Sequence, residues 1–203
     1  MSKIQVDTID TRSGTSTMQI GSTNTSTITL GVSGDTINVP SGVTIANAGT
    51  ATGFGGTMTP AFQAKISTNQ SISNESLTKV AANTELFDTD NAYDNSSNYR
   101  FTPQTAGKYI IYSSVLVDSA SNNNNIDYIY SEIHKNGTAI TFNMLDFRDD
   151  RDGRKFAVSQ QTAVDMNGSS DYVELFAIGK VNSAGDLRFA SSNTYFGAYK
   201  IIT

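Results

Sequence analysis

Apolar residues in the first quarter of the chain occur as isolated i, i+2 pairs. Ile4/Val6 opens the series, Met18/Ile20 resumes it, and Ile28/Leu30, Ile37/Val39 and Val43/Ile45 complete it. Two same-parity apolar positions among Gly, Ser, Thr and Asn predict a short strand with one apolar face. Turn signals separate the segments at Ser13-Gly14, Gly21-Ser22, Ser33-Gly34-Asp35 and Pro40-Ser41-Gly42. Each such strand is too thin to hold itself. Burying two apolar side chains contributes about 2 × 1.5–3 kcal/mol, while ordering some eight residues costs about 1 kcal/mol or more apiece. Three chains wound about a common axis reverse that balance, because every inward pair meets its counterparts and strand edges pair between chains. A flexible Ser/Thr/Gly linker is the competing description; the regularity of the pairs favours an ordered, intertwined trimeric β stalk.

The texture changes near Pro60. Residues 1–59 hold nine of the sixteen glycines and a single aromatic, Phe54, and residues 36–64 carry no charged side chain. The stretch 47–60, NAGTATGFGGTMTP, is expected to be the connector. Beyond it the pattern predicts strands over 61–67, 77–87, 99–103, 108–117, 126–137, 139–147, 155–166, 171–180 and 193–202. Asn136-Gly137 and Asn167-Gly168 mark turns, and Ala184-Gly185-Asp186 ends a further loop. Nine or ten strands with no sustained 3.6-residue period indicate an all-β sandwich or barrel.

Composition narrows the function classes. Hydrophobic residues make up 37% and charged residues 16%, and the remainder is rich in Ser, Thr, Asn and Gly, which suits turns and strands rather than helices. A formal net charge of −5 with no basic stripe argues against nucleic-acid binding. The chain has no cysteine, so disulfides and thiolate chemistry are excluded. The start, MSKIQVDTIDTRSG, lacks the apolar run of a signal peptide, and no stretch approaches membrane-span length. Synthesis in a cytoplasm without membrane insertion is therefore expected.

Chemistry is sparse. The one histidine, His134, lies at a strand end before an Asn-Gly turn, and no G-x-S-x-G elbow accompanies it. No enzyme and no cofactor are expected. The segment LDFRDDRDGRK holds Asp146, Asp149, Asp150 and Asp152, oxygen donors that could hold calcium. Their spacing does not fit a calcium loop, and four cations stand among them, so a solvated hairpin tip is the expected reading and no metal site is assigned. Two polar loops, FDTDNAYDNSSN (87–98) and ASNNNNID (120–127), offer Asp90, Tyr93, Asp94, Asn122, Asn123 and Asn124 as candidate ligand contacts. Such side chains provide donors, acceptors and a flat ring suited to sugar hydroxyls.

Several blocks after residue 60 carry a resemblance. PAFQAKIS (60–67), NAYDNSSNYRFTPQTAGKYIIYSSVLV (91–117), HKNGT (134–138), AVDMNGSSDYVELFAI and TYFGAYKII resemble, in order, segments of globular C1q-like domains of the tumour-necrosis-factor jelly-roll superfamily. The likeness covers about 61–203. It departs in lacking the family's Phe-Ser-Gly (Phe196 and Gly197 are adjacent here) and in the charged loop after Asp146. The resemblance implies a jelly-roll β-sandwich and a homotrimer packed around aromatic and aliphatic side chains. Tyr109 and Phe196 are then expected on the trimer interface, with Ile28, Leu30, Ile37, Val39, Val43 and Ile45 along the stalk axis.

The first region, with TITLGVSGDTINVPSGVTIA, resembles the shafts of tail fibres and related virion proteins of bacterial viruses. Together the two likenesses imply a virion protein made in the host cytoplasm. Residues 1–20 would dock on other virion proteins, 21–59 would form the fibre stalk and connector, and 60–203 the knob that binds a host-surface glycan or protein. Two alternatives remain at this point: a capsid decoration or head-fibre protein that stabilises the shell, and a surface-polysaccharide depolymerase. The depolymerase would need paired acids in a groove, and no long groove-forming β-helix is evident.

Overall fold

The structure is a computed structural model and describes residues 20, 23–24, 26–49, 58–120, 125–148, 153–182 and 187–201. The chain falls into two units, Met1–Ala51 and Thr52–Thr203. In the first unit the described residues form turns and no strand. Turns fall at Ser33-Gly34 and Ser41-Gly42 as expected, with Gly34 and Gly42 at positive φ, and a further one at Thr23-Asn24; the expected turns at Ser13-Gly14 and Gly21-Ser22 lie outside the described residues. A strand needs a partner edge to satisfy its backbone groups, and among the described residues of this unit no segment pairs with another. Their apolar side chains stand in solvent: Ile28 is 48% exposed, Leu30 61%, Ile37 62% and Ile45 58%. Residues 1–19 of the expected docking segment 1–20, including Ile4, Val6 and Met18, and residues 50–57 of the expected connector lie outside the described residues.

The second unit is all-β, and among the described residues it contains thirteen strands and no helix. One antiparallel sheet takes β1 (Ala61–Lys65), β2 (Gln70–Ile72), β4 (Thr84–Asp88), β7 (Gly107–Ser119), β10 (Lys155–Met166), β12 (Leu187–Phe189) and β13 (Tyr195–Lys200). The other takes β3 (Thr78–Lys79), β5 (Tyr93–Asp94), β6 (Arg100–Phe101), β8 (Ile126–Lys135), β9 (Thr138–Asp146) and β11 (Val173–Val181). β7 is the spine of the first sheet. β10 pairs along one edge of it, while β13 and β12 share the other. In the second sheet β11 is flanked by β8 on one side and by β6 and β3 on the other.

The expected strand over 77–87 is in fact two. Thr78–Lys79 pairs with β11 in the second sheet, and Thr84–Asp88 pairs with β1 in the first. Between them the chain crosses the sandwich and buries Val80 and Ala82. β2, β5 and β12 are too short to show periodicity and were not expected. The Asn136-Gly137 turn forms as read, with both residues at positive φ.

An aromatic cluster fills one end of the sandwich. Phe62 stacks on Tyr93 at 4.4 Å and on Phe101 at 4.7 Å, and meets Phe196 edge-on at 5.2 Å. Tyr109 joins through Phe101 at 5.7 Å. Tyr109 and Phe196 are thus corrected: both are fully enclosed between the sheets and cannot lie on a subunit interface. Alternation then turns their neighbours outward.

Candidate functional site

The outward face of the first sheet is the site built by that alternation. β7 and β10 pair in register along it as Lys108/Asp165, Ile110/Ala163, Tyr112/Gln161, Ser114/Ser159, Leu116/Ala157 and Asp118/Lys155. A charged pair closes each end, and the four rows between are uncharged. Lys108 bridges Asp165 at 2.8 Å; at the other end Asp118 meets Lys155 at 3.9 Å and Arg188 at 2.7 Å. Four neutral rows span about 20 Å at ~3.4 Å per residue. On the β10 side the face is made of small or unbranched groups, Ala157, Ser159, Gln161 and Ala163, all exposed.

Across β7 stands β13, whose Tyr195, Gly197 and Tyr199 oppose Ser114, Tyr112 and Ile110. The Tyr112 ring lies 6.3 Å from Tyr195 and 6.2 Å from Tyr199, tilted against each. Gly197 permits this: a Cβ there would come within 2.3 Å of the Tyr112 ring. Burial, and then the neighbouring hydroxyls of Tyr195 and Tyr199, raise the Tyr112 phenol above its ordinary value, so it stays a neutral donor. The three rings and Ile110 line an open depression of about 540 Å³. Further along the same sheet, Phe87 is 45% exposed on β4, opposite Gln63. An uncharged, tyrosine-rich sheet face of this size is the composition of a protein–protein interface rather than of free surface.

Of the loop residues expected to touch a ligand, Tyr93 and Asp94 border one open groove beside β5 and β6, and Asp90 is not in its lining. Tyr93 is buried; its hydroxyl donates to the Ala82 carbonyl at 3.0 Å and its ring belongs to the core stack, so the flat ring expected to meet a ligand is turned inward. Asp94 is occupied by its own loop. Its carboxylate accepts the backbone N–H groups of Ser97 at 2.9 Å, Ser96 at 3.0 Å and Asn98 at 3.1 Å, and the Asn98 amide at 2.7 Å. Those bonds, led by Ser97 and Ser96, hold its carboxyl far below the usual carboxylate range. Asp90 accepts from the Thr89 hydroxyl. Asn122, Asn123 and Asn124 lie outside the described residues.

The acidic hairpin reads similarly. Asp146 grips the guanidinium of Arg148, which lowers its pKa to about 2, first through the side-chain bond and then through the Arg148 N–H. Asp149, Asp150 and Asp152 lie outside the described residues, and among the described residues no three-ligand metal cluster forms. His134 is buried on β8, 2.7 Å from Glu132 and 4.4 Å, ring to ring, from Phe176. Sequence reasoning missed the Tyr112, Tyr195 and Tyr199 face, although the alternation in YIIYSSVLV contained it one residue out of phase.

By sequence the chain matches no family model and no curated protein. By structure it is similar to murine APRIL, with a TM-score of 0.51 at 12% identity over 70% of this chain and 98% of that one. It is equally similar to the globular domain of zebrafish complement 1qA, with a TM-score of 0.51 at 13% identity over 70% of this chain and 96% of that one. The head therefore has the jelly-roll fold of the tumour-necrosis-factor and C1q-like domains.

Proposed function

We propose that the protein is a homotrimeric virion fibre of a bacterial virus whose jelly-roll knob binds the host-cell surface. The observation that carries this reading is apolar surface left over in both units of a lone chain. In the head it is the neutral tyrosine band between two terminal ion pairs. In the first unit it is the row Ile28, Leu30, Ile37, Val39, Val43 and Ile45, each at least 40% exposed. Threefold contacts are heterologous, so each interface needs two different surfaces. The exposed Ile140 and Phe142 on the edge strand β9 supply a second apolar one.

The bacterial-virus setting rests on the resemblance of the first region to fibre shafts. Residues 1–20 would then dock on the particle and 21–59 would form the trimeric stalk. Three knob sites on a fibre, and several fibres on a particle, convert weak contacts into firm adhesion through effective concentration. No bond is cleaved in this scheme, no cofactor takes part, and the protein is assembled into the virion after synthesis in the host cytoplasm.

Deleting the gene from the virus tests the reading. Particles that keep shell stability and lose adsorption support it. Particles that adsorb normally and burst more easily overturn it in favour of capsid decoration.

A further inference from the structure

Beside β5 and β6 an open groove of about 320 Å³ is lined by Asn91, Asn98, Arg100, Thr102 and Gln104, together with Ala92, Tyr93 and the Asp94 whose carboxylate is held by its own loop. Its volume falls in the range of small-ligand sites, roughly 300–1,000 Å³. Arg100 is the unusual member. Its cross-strand neighbours are Asp94 on β5 and Glu174 on β11. Both carboxylates are already engaged, Asp94 by the N–H groups of its loop and Glu174 by Lys79. Among the described residues the Arg100 guanidinium forms no ion pair and donates no hydrogen bond. It lies instead against the Tyr172 ring, 4.5 Å from the centroid, and the Tyr172 N–H is anchored to Asn136 Oδ1 at 2.9 Å. A half-buried cation with five free donors, held flat by an aromatic ring, is preorganised for a planar bidentate anion.

The rest of the groove supplies sugar-type partners. The side chains of Asn91 and Thr102 have no hydrogen-bond partner among the described residues. Gln104 spends its amide N–H groups on the carbonyls of Thr102 and Ser169, at 3.2 and 3.3 Å, which leaves its oxygen as an acceptor. The backbone around the groove is strained. Asn91 has φ 52° and Tyr99, immediately before Arg100, has φ 51°. A bulky aromatic in that region costs on the order of 1 kcal/mol or more, a cost concentrated at functional sites.

We infer that this groove binds a carboxylated saccharide, with the Arg100 guanidinium gripping the carboxylate and Asn91, Thr102 and Gln104 reading ring hydroxyls. This deepens the surface-binding reading above and rests on it for the origin of the ligand; the groove itself is complete within one chain.

The test titrates the full-length protein with D-glucuronate, D-glucose and inorganic phosphate, followed by calorimetry and by amide NMR shifts. Glucuronate is expected to saturate and to shift Asn91, Arg100 and Thr102, with glucose and phosphate at least tenfold weaker. Arg100→Gln is expected to lose glucuronate binding tenfold or more, and Arg100→Lys several-fold, because an ammonium keeps charge but not the fork. Asn91→Gly, which suits the positive φ, keeps the fold and is expected to weaken binding several-fold. No saturable glucuronate response, an equal response from phosphate, or undiminished binding by Arg100→Gln would overturn the inference. A protein that decorates host cells yet ignores glucuronate overturns the groove assignment alone and leaves surface binding standing.

Discussion

Replacing Gly197 by alanine separates the stability of the knob from its association. Gly197 sits in β13 opposite Tyr112, and an added Cβ would lie 2.3 Å from Cζ, 2.4 Å from Oη and 2.7 Å from Cε2 of that ring. Ordinary contact is about 3.5–4.0 Å, so the ring must move by more than ~1 Å. It is the far end of a flexible side chain on an open face, and it can swing outward. Alanine in a strand also recovers about 0.5–1 kcal/mol of backbone entropy relative to glycine. The isolated knob should therefore change in stability by no more than about 1 kcal/mol. A displaced ring stands proud of the face and overpacks any subunit seated there, at about 1–3 kcal/mol per interface. Over three interfaces that is about 3–9 kcal/mol, or ~10²–10⁶ in the trimerisation constant. Sedimentation equilibrium over a dilution series should show dissociation beginning at ~10–1,000-fold higher protein concentration than in the parent. Denaturant unfolding of the dissociated chains should coincide with that of the parent. An unchanged mass across the series would refute the placement of the subunit contact on this face.

Other perturbations test the fold. Phe62→Ala removes the ring at the centre of the Tyr93, Phe101 and Phe196 contacts and should cost about 3–5 kcal/mol, read by urea unfolding. Gly168→Ala meets a positive φ of 71° and would place a Cβ 2.2 Å from the Ala106 nitrogen, whereas Gly137→Ala, at φ 81°, finds nothing closer than 3.8 Å. The second should cost about 1–2 kcal/mol and the first clearly more; equal melting temperatures would contradict the packing described for the Asn167-Gly168 turn. The Asp94 carboxyl, held below its ordinary value, contributes stability that is complete above pH ~4 and drains away as pH falls toward its folded value. Melting curves between pH 6 and pH 3 should thus fall more steeply for the parent than for Asp94→Asn, and parallel curves would show that the loop does not need the charge.

Much of the head was legible because alternation is a strong signal where strands are long. β7, β8, β9 and β10 lie within two residues of the ranges the pattern predicts, and β10 matches at both ends. What alternation does not reveal is its phase. Along Tyr109-Ile110-Ile111-Tyr112 each parity holds one Tyr and one Ile, so hydrophobicity cannot say which pair faces the other sheet. Tyr195 and Phe196 pose the same problem. The phase is set by Phe62, Tyr93 and Phe101, which arrive from three separate strands. The short strands fail for a different reason, since two or three residues hold no period. Tyr93 looked like a loop residue because Asp88, Asp90, Asp94 and the serines surround it. Only the β5–β6 pairing turns its ring inward. Arg100 lies within the block 91–117 that carries the resemblance, but nothing in the sequence marks it as a binding residue: its interest comes from carboxylates that neighbour it in space and are already bound to other groups.

The most direct measurement is the native mass of the full-length protein at micromolar concentration. In the proposed trimer the apolar surface exposed in both units is covered by copies of the same chain, which predicts a species at three times the 21.7 kDa chain mass. A stable 21.7 kDa species under those conditions would contradict the account.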